Sequence, residues 1–149
     1  MTGNYKIAVL DMNAGRPNEG MRCITSLMGE FLSQDGVKGN YDVFEVRNKQ
    51  EMPDINEYDI FVSSGGPGSP LKMGVEWEEK YFNFLDSILH HNLSQSQKKH
   101  LFLICHSFQL ACLHWDVARV TKRRSTSFGI FPIYKTFQRF ERSFLCCRF

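Results

Sequence analysis

"HLFLICHSFQLACLHW" spans residues 100–115 and joins two different patterns at a single residue. Residues 100–104 form a short apolar run of the length and composition of a buried strand. From His106 the run gives way to mixed polar and apolar residues that suit a helix to about residue 115. Cys105 stands at the join. Working outward, the chain alternates such short runs with longer amphipathic ones. "YKIAVLDM" (5–12) is nearly continuous in apolar residues, as a strand covered on both faces should be. "NAGRPNEG" (13–20) reads as a loop, and residues 19–34 place Met21, Ile24, Leu27, Met28, Phe31 and Leu32 at helical spacing. "YDVFEVRN" (41–48) alternates as a strand, and "DIFVSS" (59–64) is a third strand ending in the loop "GGPGSP" (65–70). A second helix over 76–93 carries Trp77, Tyr81, Leu85, Ile88 and Leu89 on one face, and "FGIFPIYK" (128–135) reads as a late strand.

Strands alternating with helices predict an α/β fold with a doubly wound, mostly parallel sheet. Sites in such sheets form at the carboxyl ends of the strands. This rule places Asp11 to Gly15, Gly65 to Ser69 and Cys105 on one edge of the molecule.

The totals narrow the class. At 149 residues the chain is long enough for one domain with a real core. No apolar run approaches the ~20 residues of a membrane-spanning helix, and "MTGNYKIAVLD" lacks the pattern of a secretory signal. A reducing, cytoplasmic setting is the default expectation. The five cysteines (Cys23, Cys105, Cys112, Cys146, Cys147) include no CxxC pair, so neither a metal site nor a disulfide framework is expected. Residues 1–118 carry ten Lys/Arg against fifteen Asp/Glu, whereas residues 119–149 carry eight against Glu141 alone. The basic end shows no helical stripe or nucleic-acid motif and reads as a solvated face rather than a nucleic-acid surface.

Two stretches carry chemistry. A cysteine between a buried strand and a helix has its thiolate stabilised by the positive helix terminus. Such a turn also leaves the next backbone N–H, that of His106, free for a developing oxyanion. The turn is tight and favours small residues two positions to either side; Ser107 meets this and Leu103 does not. The plain alternative is that Cys105 packs as a small hydrophobe. "SSGGPGSP" (63–70) can present backbone N–H groups to a ligand without side-chain obstruction. Equally, Gly-Gly-Pro-Gly is ordinary turn chemistry.

Taken together, "DIFVSSGGPGSP" and, about 35 residues later, "LFLICHSFQLA" resemble a class I glutamine amidotransferase domain. That family carries a Ser-Gly-Gly-Pro-Gly loop and a Gly-x-Cys-x-Gly-x-Gln elbow in this order and spacing. The resemblance runs from about residue 6 to 135. It implies a flavodoxin-like three-layer fold and hydrolysis of the glutamine side-chain amide through a cysteine thioester, with no cofactor. By position it makes Cys105 the nucleophile, the backbones of Gly66 and His106 the oxyanion hole, and Gln109 a substrate-binding residue. It also implies that glutamine is the substrate and that a synthase domain or subunit receives the ammonia.

Leu103 and Ser107 stand where the family has glycine. The family also supplies a His-x-Glu pair near the end of a longer domain, and this chain has no histidine after His114. His90, His91, His100 and His114 are all expected far from Cys105, and the His106 side chain is expected to leave the elbow in another direction. Residues 1–136 therefore read as an amidotransferase-like domain incomplete at its C-terminal end, with 137–149, "FQRFERSFLCCRF", an atypical basic-aromatic tail. Two rival readings remain: a homoserine acyltransferase-like enzyme, and a non-catalytic remnant or binding domain.

Overall fold

A computed structural model of the chain describes residues 3–71 and 74–121. The late strand over 128–135, the boundary at 136, the tail, and Cys146 and Cys147 lie outside the described residues. The elements in chain order are β1 (Gly3–Asp11), α1 (Glu19–Leu32), β2 (Val37–Glu45), β3 (Ile60–Ser63), α2 (Glu76–Ser94), β4 (His100–Leu103) and α3 (His106–His114). The four strands form one sheet in the order β2-β1-β3-β4, and every neighbouring pair is parallel. This is the α/β, doubly wound parallel sheet expected from the alternation of elements.

Strand alternation sorts the core into two layers. Ile7, Val9 and Val62 face α1, packing with Ile24 and with Met21, Met28, Phe31 and Leu32. Ala8, Leu10 and Phe61 face the other way, against Tyr81, Phe82, Phe84, Leu85 and Ile88 of α2 and Leu110 and Ala111 of α3. β1 is central and fully buried from Ile7 to Leu10, which explains its unbroken apolar run. α1 begins where the Asn18 side chain accepts the Met21 N–H at 2.9 Å. An N-cap of this kind satisfies one of the free amides of a first turn. Leu27, expected on the inner face of α1, is 57% exposed.

β2 begins four residues earlier than its alternation suggested and ends at Glu45. Its first half pairs with Gly3 to Lys6 of β1 through the backbone, so the polar run Lys38-Gly39-Asn40 does not prevent strand formation. Gly39 sits at φ +150, and a Cβ there would overlap the Tyr5 carbonyl. No helix separates β2 from β3. The connection instead contributes Val46 and Tyr58 to the core, with Met52 and Ile55 packed against it.

The register sets the level of the site. Leu10 pairs with Phe44 on one side and Ser63 on the other, and Ser63 pairs with Leu103. Two residues beyond those positions, at the carboxyl ends, stand Met12, Val46, Gly65 and Cys105. Among the described residues no helix is long and apolar enough to cross a membrane.

Candidate active site

Cys105 is the residue before α3, with φ 52 and ψ −103. A non-glycine residue in this region is strained, typically by about 1–3 kcal/mol. Its thiol is exposed, whereas the two residues that follow, His106 and Ser107, are buried. A cysteine recruited only to fill core would need neither the strain nor the exposure. Replacing it with glycine should relieve the backbone and raise stability by about 1 kcal/mol, after allowing for the entropy glycine adds to the unfolded chain. Thermal melting of Cys105→Gly checks this, and a lower melting temperature would show that no strain is stored there.

The turn is held by serines. The Ser107 hydroxyl donates to the Ser63 carbonyl at 2.9 Å and accepts the Ile104 N–H at 3.0 Å. A glycine could make neither bond, so Ser107 fits the tight position and ties β3 to the elbow. Leu103, on the strand side, packs against the core beneath α2 and α3, which accommodates a large residue there. Tyr81 donates to the Ser63 hydroxyl at 2.9 Å, and burial raises its phenol well above the usual range, partly offset by its serine hydrogen bonds. Ser64 accepts the Met12 N–H at 2.9 Å and donates to the Gly65 carbonyl at 2.8 Å. These bonds lace the ends of β1, β3 and β4 into one rigid platform.

The two chemistry-bearing stretches meet on it. An ideal Cβ on Gly65 would lie 3.4 Å from the Cys105 Cβ. Gly66 passes so near β1 that a Cβ there would overlap the Met12 carbonyl, which requires glycine at this position. No hydrogen bond among the described residues engages the N–H of Gly66 or of His106. Unengaged amides beside a thiol are the groups an oxyanion accepts from. Gln109 lies one helical turn past Cys105, its N–H donating to the Cys105 carbonyl at 3.0 Å, and is half-buried.

The histidines fall elsewhere. His106 Nε2 lies 3.2 Å from the Ser69 carbonyl, and its ring turns into the protein rather than toward the exposed thiol. Burial is the main cause of its lowered pKa; the Ser69 carbonyl opposes it, Arg47 adds to it, and Glu78 opposes it. His114 Nε2 lies 3.0 Å from Asp86, and its ring stacks on Phe82 with centroids 4.4 Å apart. Burial alone would raise the Asp86 pKa, but hydrogen bonds from Trp115 and His114 outweigh it and leave the carboxyl below its usual range. His91 lies 3.1 Å from the Gln97 carbonyl at the end of α2, and His100 is exposed at the start of β4. Among the described residues no histidine hydrogen-bonds Cys105, and no group of three or more His, Cys, Asp or Glu could hold a metal ion.

Sequence reasoning missed Arg47. It follows β2 at the same carboxyl edge and donates from Nη1 to the Pro67 carbonyl at 2.6 Å. The one available signal was its place near the carboxyl end of the strand read over 41–48 in a parallel sheet. It equally missed the roles of Ser63, Ser64 and Tyr81, whose chemistry depends on neighbours distant in sequence. No family model matches the chain, and no curated protein matches it.

Proposed function

We propose that this chain is a glutamine-directed acyl-transfer domain in which Cys105 attacks the side-chain amide of glutamine. The observation that carries the reading is the strained backbone of an exposed cysteine between β4 and α3. Support comes from the glycine loop beside it and from the unengaged amides of Gly66 and His106. In this reading the Cys105 thiolate adds to the amide carbon and the resulting oxyanion accepts hydrogen bonds from those amides. The C–N bond then breaks, the nitrogen takes a proton and ammonia leaves, and water hydrolyses the thioester to glutamate and the free thiol. Gln109 contacts the substrate glutamine, and a synthase domain or subunit receives the ammonia. The thiol chemistry belongs in a reducing compartment such as the cytoplasm. With no imidazole hydrogen-bonded to Cys105 among the described residues, turnover is expected to be slow or absent.

The test treats the whole chain with a chloroketone analogue of glutamine and maps the modified thiols by mass spectrometry. Cys23, exposed on α1, serves as an internal reference thiol. Cys105 is expected to react at least about tenfold faster than Cys23, because binding positions the electrophile, and excess glutamine is expected to protect it. Equal rates without protection would remove the nucleophile assignment. Selective labelling with ammonia release at background would favour the remnant reading, and transfer of an acyl group to homoserine would favour the acyltransferase.

A further inference from the structure

Of the three glycines in the loop Gly65–Ser69, only Gly66 lies in direct backbone proximity to Met12, just past the end of β1. The loop's outer half is fastened by two side chains from other parts of the fold. Arg47 donates from Nη1 to the Pro67 carbonyl at 2.6 Å. Its Nη2 lies 3.4 Å from Nδ1 and 3.3 Å from Nε2 of His106. The His106 ring reaches the Ser69 carbonyl at 3.2 Å. A carbonyl can only accept, so Nε2 carries the hydrogen toward Ser69, and the Arg47 guanidinium lies against the ring within 3.4 Å of both nitrogens. The guanidinium lies over the Trp77 ring, 4.7 Å from its centroid, an arrangement favourable to a cation. Glu78, the next residue in the first turn of α2, is buried and accepts the Gly74 N–H at 2.9 Å. Its charge favours the Arg47 cation, opposing the lowering that burial imposes on it.

One guanidinium therefore connects four places: the end of β2, the loop carbonyl of Pro67, the elbow residue His106 and the first turn of α2. We infer that Arg47, acting with the His106 ring, is a positioning residue that clamps the Gly65–Ser69 loop against the elbow and fixes the Gly66 amide relative to the Cys105 thiol. The inference rests on the reading of Cys105 as nucleophile, but the clamp itself can be measured separately. A planar fork with several donors can bridge Pro67 and His106 at once, whereas a lysine ammonium is a single point of charge. Arg47→Lys keeps the cation and loses the bridge; Arg47→Met loses both.

Two measurements on the full chain test it. Hydrogen–deuterium exchange of the peptide covering residues 64–71 is expected to rise in both variants while β1 and β3 stay protected. The rate of Cys105 modification by the glutamine chloroketone is expected to fall about 10- to 100-fold, as a misplaced donor would require. Modification by iodoacetamide, which needs no oriented amides, is expected to stay within about twofold. That split separates positioning from general loosening, which would change both reagents alike. If Arg47→Met does not fold, Arg47→Lys carries the test. Unchanged exchange of the loop, or equal slowing by both reagents, would overturn the clamp. If wild-type Cys105 shows no preference for the chloroketone, the proposed chemistry fails while the exchange result still decides the clamp.

Discussion

Gly66→Ala is expected to slow glutamine-chloroketone labelling of Cys105 by about 100-fold or more, the usual consequence of losing one oxyanion donor. An added methyl group would overlap the Met12 carbonyl and crowd its Cβ. Met12 cannot easily yield, because it is fully buried and its N–H is bonded to Ser64. The loop must move instead, carrying the Gly66 amide away from the thiol. Gly65→Ala is the natural comparison. Its methyl group would make only ordinary contacts, with Cys105 and the Ile104 carbonyl, and a change within about threefold is expected. Labelling kinetics of the two variants side by side check the idea. Equal rates for Gly66→Ala and wild type would mean that this amide takes no part.

Gly39→Ala carries the largest expected effect on stability. The position combines φ +150 with a methyl group that would overlap the Tyr5 carbonyl and crowd the rest of that peptide. Tyr5 belongs to β1, the strand on which both core layers are built. Backbone strain and a displaced ladder together should cost about 3 kcal/mol. For a chain of this size that lowers the melting temperature by roughly 10 °C. Gly29→Ala, in the exposed part of α1 with open space around it, should instead stabilise by about 0.5–1 kcal/mol. Melting curves of the two variants should move in opposite directions. Coincident curves would mean that Gly39 does not approach β1 so closely.

Much of the architecture was legible because its signals are local. The unbroken run Ile7-Ala8-Val9-Leu10 announces a strand covered on both faces, and the sheet covers it so. The glycines and proline of 65–68 mark where β3 must stop, and Cys105 marks where β4 gives way to α3. The start of β2 was not legible, since Lys38, Gly39 and Asn40 show no apolar alternation. Backbone pairing to β1 makes that segment a strand regardless of its side chains. Leu103 looked too large for the elbow because the space beneath α2 and α3 is not written in the neighbouring residues.

By itself the sequence determined the alternation of strands and helices, and it set the Gly-Gly-Pro-Gly loop and Cys105 at strand ends, because periodicity and turn chemistry act over a few residues. Only the tertiary structure decided that Gly65 meets Cys105 and that the His106 ring, expected to leave the elbow away from the thiol, finds Arg47 and Ser69 as its partners. The physical reason is strand order. Arg47 lies 58 positions before Cys105, and it reaches the elbow because parallel pairing brings the ends of β2 and β4 to one edge.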